Sequence, residues 1–337
     1  MLYLLGLILA SFIVTSIFMV PFIDLLFFLK RKFQRQTALA NSSQTPIHDV
    51  LMKADEKTPS GGGILLILIL AVLSIGFYFL NFRTTPDAVT LKILLFTLFS
   101  FGSLGLLDDI KLIFTRRKGK FLGMGRRKLL GFQFILAGLI GAMLYYLAGL
   151  NNLYITGLGN FVIGLWYIPL AAFIIVSFAN AYNISDGLDG LSAGLLLICL
   201  FAFLGITSRA LDLTLASFIG IWIGALFAFL YFNIWPARIF MGDGGSFAFG
   251  AALAVVGLLT GKILALAIIG GMFVFIVASS LLQILSKKML KMKILPVAPI
   301  HMYFKYIGWE EPKIVVRFWL AQGLLAIFGL WIALLSK

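Results

Sequence analysis

Charge is what this sequence has least of. Asp, Glu, Lys and Arg together make up 12% of its 337 residues, where an ordinary soluble domain carries about 25%. Hydrophobic residues account for 61%, and the mean hydropathy is +1.07. A soluble globule of this size would lack the polar surface to cover itself, and the chain is far too apolar for disorder. Both classes are excluded, which leaves an all-α polytopic membrane protein. Cysteine occurs once, as Cys199 inside an apolar run, so no intrachain disulfide can form and the redox compartment is not legible. The N-terminus lacks a basic n-region, and the first apolar block runs on to Phe28. It reads as a retained membrane helix rather than a cleaved signal peptide. Internal repeats, low-complexity tracts and dividing linkers are also missing, so residues 1–337 read as one membrane domain.

What is there is a series of apolar blocks of spanning length. They fall at 2–28, 63–82, 89–107, 129–149, 162–180, 190–207, 212–234, 247–261, 263–286 and 314–335, each near the ~20 residues a helix needs to cross the hydrocarbon core. The net charge is +14, and the loops after spans 1, 3, 5, 7 and 9 hold 22 of the 27 Lys and Arg. By the positive-inside rule those loops are cytoplasmic and both termini lie outside. Ten of the 13 acids fall on the same side, as do both histidines, His48 and His301. A passive anchor has no need of such a face.

Five constellations on that face carry chemistry. Asp108-Asp109 ends span 3; adjacent carboxylates repel unless a cation or proton compensates, so they are either a metal or base site or a solvated helix end beside Lys111 and Arg116. Asn183, Asp186 and Asp189 lie in Asn180–Gly190, where oxygen ligands and glycines suit Mg²⁺ and phosphate, the alternative being a polar loop of Asx turns. Asn233, Phe240, Gly242, Asp243 and Ser246 surround a Gly-Asp-Gly-Gly-Ser run expected just ahead of a helix, able to offer backbone N–H groups to phosphate or to cap the helix. The loop from Lys287 to Arg317 holds four clustered lysines suited to lipid head groups, together with His301, a candidate acid, base or phosphate contact. Lys57 to Gly63, just ahead of span 2, is either a phosphate cradle or a hinge. Together these point to metal-assisted phosphoryl transfer at a membrane surface.

These motifs, in this order over nearly the whole chain, resemble the polyprenyl-phosphate N-acetylhexosamine-1-phosphate transferases. Pro299-Ile-His301, Gly308-Trp309-Glu310 and Val315-Val316-Arg317-Phe318-Trp319 are most similar to the branch acting on phospho-N-acetylmuramoyl-pentapeptide. The resemblance implies a multi-pass enzyme of the bacterial cytoplasmic membrane with its site facing the cytoplasm. It implies UDP-N-acetylmuramoyl-pentapeptide and undecaprenyl phosphate as substrates, lipid I and UMP as products, and Mg²⁺ as cofactor. Residue by residue, it makes Asp243 and Asn183 metal ligands, and Asp108 and Asp109 the activating acids. Asp186 and Asn233 become nucleotide-site residues, with Gly242 and Ser246 near the phosphates, and Asp189 stays a substrate-binding candidate from its spacing. Phe240 matches a uracil-stacking aromatic, Gln283 and Ala298 match uracil contacts, and His301 matches the first of the family's histidines. Lys53, Ser60 and Lys128 match substrate-binding positions, and a homodimer follows from the resemblance alone.

The sequence departs from that pattern in three places: Thr58-Pro59-Ser60-Gly61-Gly62-Gly63 stands where the family has Thr-Pro-Thr-Met-Gly-Gly, which leaves Lys57 as an alternative to Lys53, and the other two lie further on. His301-Met302-Tyr303 stands where the branch has three histidines, and position 112 is Leu where it has Lys. The sugar therefore stays open, with UDP-N-acetylglucosamine or a relative, the donor of a sister branch, as the alternative. A transporter would carry its ionisable residues at the bilayer midplane, and a scaffold would leave the carboxylates unexplained. The basic loops are juxtamembrane and interleaved with acids, which favours lipid or UDP-sugar over nucleic acid.

Overall fold

In hydrocarbon every backbone N–H and C=O must be satisfied within the protein, and long apolar runs meet that demand as helices. The computed structural model describes residues 2–34, 58–80, 87–115, 125–156 and 158–335. The helices are α1 (Leu2–Gln34), α2 (Gly62–Leu80), α3 (Ala88–Thr115), α4 (Arg126–Tyr146), α5 (Tyr167–Ser185), α6 (Leu191–Arg209), α7 (Leu213–Asn233), α8 (Gly242–Leu259), α9 (Ile263–Ile269), α10 (Gly271–Met289), α11 (Ile300–Tyr306) and α12 (Glu311–Leu335). Among the described residues, ten helices are long and apolar enough to span a membrane, as expected; the chain is an all-α, multi-pass membrane protein.

The core sits on α7 and α8, the two most buried spans. Around α8 pack α2, α3, α5 and α9, while α7 is flanked by α1, α2 and α6. Trp222 of α7 is fully buried and tilts against Phe249 of α8 at 5.3 Å between ring centroids. Close approach sets the α1–α7 contact: a Cβ on Gly224 would lie 2.1 Å from the Ile8 carbonyl oxygen. The Ser11 hydroxyl donates to the Ile221 carbonyl at 2.7 Å across the same seam. At the end of the bundle away from the carboxylate motifs, Asp212 caps α7 by accepting from the Leu215 N–H at 2.9 Å. Asp87 does the same for α3, accepting from Val89 at 2.8 Å.

Four element expectations are corrected. The apolar block 263–286 is two helices, broken at Gly270, where a Cβ would meet the Phe178 ring at 2.5 Å. Hydropathy alone cannot see such a break. The groups it frees find side chains: the Met272 N–H donates to Gln322 Oε1 at 3.1 Å, and the Ile269 carbonyl accepts from Gln322 Nε2 and from Cys199 Sγ. Residues 152–162 form a hairpin, β1 (Asn152–Ile155) antiparallel to β2 (Gly159–Val162), with strands too short to show a period. Lys262 lies 4.7 Å above the Tyr154 ring and pins the hairpin to the start of α9. Helix α8 begins at Gly242 rather than 247, and α3 continues to Thr115, past Asp108-Asp109. Asp108-Asp109 therefore lies within α3 rather than at its end, and Asp243 on the first turn of α8 rather than ahead of it.

Gln322→Leu keeps the volume but removes the partner of the broken helix. It should cost about 1–3 kcal/mol, read as earlier thermal unfolding in detergent than the exposed-site control Leu320→Ala. Equal behaviour of the two would remove Gln322 from this role.

Candidate active site

The site begins with backbone contact. Residues 58–63 run alongside 240–241: Phe240 N–H donates to the Pro59 carbonyl at 2.9 Å, and Gly61, Gly62 and Gly63 donate to the Phe240 and Met241 carbonyls at 2.9–3.1 Å. These N–H groups are spent within the protein, so the phosphate-cradle option for Gly61–Gly63 is not the one the chain uses. A Cβ on Gly63 would lie 2.2 Å from Gly245 Cα, and one on Gly105 would lie 2.2 Å from the Asp243 carbonyl oxygen. Only glycine permits α2 and α3 to reach the first turn of α8 this closely.

That approach gathers the acids. Asp109 Oδ2 accepts from the Gly244 N–H at 3.3 Å, so the start of α8 is capped by a carboxylate from α3. Asp243 lies in the same turn, one residue earlier. From the last turn of α5, Asn183 Nδ2 donates to Asp243 Oδ1 and to Ser246 Oγ, both at 2.8 Å. Asp108 is partly buried beside Asp109. Gly242 takes φ +80°, and a Cβ there would meet Ser60 Oγ at 2.8 Å and Asp109 Oδ2 at 3.2 Å. Asp108, Asp109, Asn183, Gly242, Asp243, Ser246 and Ser60 thus converge on the N-terminal end of α8.

A second layer wires the loops together. Asp186 ends α5 and accepts from the Ser192 hydroxyl. Burial pushes its carboxyl up to about 7, with the Ser192 bond opposing and the Asp243 and Asp189 charges adding to the rise. Asp189 is buried and accepts from the Ala237 N–H at 2.7 Å, and its own N–H donates to Glu311 Oε1 at 2.7 Å. Asn233 is also buried; it accepts from Gly190 N–H at 3.2 Å and donates to the Ile239 carbonyl at 2.9 Å. These polar atoms bridge one loop to another.

His301 is buried on α11, with its Nε2 3.0 Å from where a Cβ on Gly187 would stand. Its Nδ1 has no hydrogen-bond partner among the described residues. Burial, reinforced by the Lys305 charge, draws the imidazole down to about 3. Met302 points into the core at 3% exposure, so of the two residues replacing histidines only Tyr303 keeps an open face. Gln283 is locked at both ends of its amide by Leu295, donating to its carbonyl at 2.7 Å and accepting from its N–H at 3.0 Å. Phe240 and Ala298 are half-buried, and Lys128 is exposed on the first turn of α4. Lys53 and His48 lie outside the described residues. Sequence reasoning missed Ser192 and Glu311; a serine opening one apolar span and an acid opening another carry no pattern beyond ordinary helix starts.

Comparison with known proteins identifies the family. The sequence model for glycosyl transferase family 4 matches residues 91–261, which contain both acid motifs and Asn183. The phospho-N-acetylmuramoyl-pentapeptide-transferase of Bacillus subtilis is 36% identical over 277 residues, covering 82% of this chain and 83% of that protein. The protein of the same name from Levilactobacillus brevis is 35% identical over 285 residues, covering 82% and 84%. That from Geobacillus sp. is 35% identical over 278 residues, covering 82% and 83%. With matches of this length and the acid motifs folded to one point, the chain belongs to glycosyl transferase family 4, the polyprenyl-phosphate sugar-1-phosphate transferases.

Proposed function

We propose that this transferase moves phospho-N-acetylmuramoyl-pentapeptide from its UDP carrier to undecaprenyl phosphate, giving lipid I and UMP for peptidoglycan synthesis. The observation that carries it is the junction of Asp108-Asp109 with Asn183 and Asp243 at the start of α8, in a chain 36% identical to a transferase of that name. The bias of 22 of 27 bases toward the loops on that side supports a cytoplasmic site with both termini outside.

Among the described residues, no group of three His, Cys, Asp or Glu side chains is arranged to hold a metal ion by itself. Asp243 fits Mg²⁺ nonetheless, because that ion is commonly held by one or two carboxylates and takes its remaining ligands from water and phosphate. Asp243 would hold it, while Asn183 turns its Nδ2 to that carboxylate and steadies it. When bound, Mg²⁺ supplies charge neutralisation to the pyrophosphate and the departing UMP.

The chain's own groups supply the rest. An oxygen of the lipid phosphate bonds to the β-phosphorus of the donor. The bond from that phosphorus to the bridging oxygen breaks, and UMP leaves with the electron pair. Asp108 and Asp109, side by side at the first turn of α8, are the acids we assign to accept the lipid phosphate's proton. His301, whose burial favours the neutral imidazole, has an unpartnered Nδ1 to offer the donor rather than a fixed positive charge. Asn183 ties Asp243 to Ser246 and fixes the carboxylate's direction.

The decisive experiment follows UMP release by the purified protein in detergent with undecaprenyl phosphate and Mg²⁺. UDP-N-acetylmuramoyl-pentapeptide and UDP-N-acetylglucosamine are offered separately. Release from the muramoyl donor alone, abolished by EDTA and restored by Mg²⁺, is the expected outcome; release only from the other sugar moves the chain to the sister branch. Asp243→Ala and Asp108→Asn should each lower turnover at least about a thousandfold; near-normal activity in either variant would sink that assignment. His301 adds a stability prediction. Its folded value lies below the ordinary 6.5, so its contribution to stability is complete above about pH 6.5 and is lost as the pH falls toward about 3. His301→Asn should flatten that acid limb in thermal unfolding measured from pH 4 to 8, while the wild-type rate profile shows no His301 ionisation near 6.5.

A further inference from the structure

One carboxylate outside the acid motifs grips two parts of the site at once. Glu311 opens α12. Its Oε1 accepts from the Asp189 N–H at 2.7 Å, in the turn between α5 and α6. Its Oε2 accepts from Lys305 Nζ at 2.7 Å, on the last turn of α11. The Lys305 and Glu311 side chains are only 18% and 10% exposed, so this pair is screened far less than a surface ion pair.

The two gripped elements carry groups the reaction uses. The turn 186–190 bears Asp186 and contains Gly187 and Gly190, the latter at φ +76°, so its backbone is intrinsically soft. Asp189 in turn holds the Ala237 N–H, which fixes the segment leading to Phe240 and Gly242. Helix α11 bears His301 four residues before Lys305, on the same face. The two grips meet where His301 Nε2 stands over Gly187. Among the hydrogen bonds described, none joins Glu311 to Asp243, Asn183 or Asp109, so its effect passes through the parts it holds.

We propose that Glu311, with Lys305 as its counter-ion, is a positioning residue that sets the Asp186 turn and the His301 helix in register for the UDP-sugar donor. This rests on the transfer reaction proposed for the site. Glu311→Gln keeps an oxygen for the Asp189 N–H and loses the charge, whereas Glu311→Ala loses both contacts. The adjacent, exposed Glu310 supplies the control, Glu310→Gln.

The test has two arms. In steady-state kinetics, Glu311→Ala should lower kcat/KM for the UDP-sugar about thirtyfold while KM for undecaprenyl phosphate stays within about twofold. Glu311→Gln should recover most of that loss, Lys305→Met should match the Gln variant, and Glu310→Gln should behave as wild type. In hydrogen exchange without substrate, the Asp189 amide should exchange about tenfold faster in Glu311→Ala than in wild type or Glu310→Gln. Unchanged exchange, or a loss spread equally over both substrates' KM values, overturns the proposal. Were the wild-type protein to release no UMP, the reaction assigned to the site would fall, and the exchange arm would still decide whether Glu311 holds the turn.

Discussion

Backbone meets backbone where α2, α3 and α8 converge, and most of the site's geometry follows from that contact. A side chain on Gly63 or Gly105 would overlap main-chain atoms of Gly245 or Asp243 at 2.2 Å. Without it, Asp109 could not reach the Gly244 N–H, and the start of α8 would need another cap. The same closeness places Asp243 within reach of Asn183 from α5. Two neighbouring helices and one far along the chain are brought to one point by residues that have no side chain. Interiors transmit such shifts because they are close-packed, so the site is as sensitive to these glycines as to its acids.

The start of α8 also explains how several carboxylates share a poorly solvated place. A helix N-terminus carries partial positive charge and free N–H groups. Asp109 uses one of those groups, and Asp243 lies in the first turn where that field is strongest. An anionic donor arriving there meets the same field. The arrangement is a helix-terminus anion site whose first occupant is a side chain from a neighbouring helix.

Ten spans, their order and the clustering of acids at one end were legible from hydropathy, spacing and charge, because those properties are set residue by residue. Asp108, Asp109, Asn183, Asp243 and Ser246 were named from motifs, and they converge. What escaped was set by tertiary contact. The break at Gly270 depends on Phe178, Gln322 and Cys199, none of which is near it in sequence. The glycines at 61–63 read as cradle or hinge, and their N–H groups turned out to pair with residues near 240. Asn233 and Gln283, named by resemblance, and Asp189, named from its motif, also join one part of the chain to another, a role their motifs do not spell out. Glu311 carried no local signal because its partners lie in other elements.

The seam between α1 and α7 bears on how the molecule is made. Ser11 and its partner Ile221 are 210 residues apart. At the ribosome's pace of about 5–20 residues per second, roughly 10–40 s separate the synthesis of these two residues. During that interval the first helix has lipid where Gly224 and the rest of α7 will later stand. Its polar Ser11 and Thr15, fully buried in the finished bundle, begin life facing the bilayer or whatever insertion machinery shields them. The first span is therefore placed early and seated late, once α7 arrives to cover its polar side.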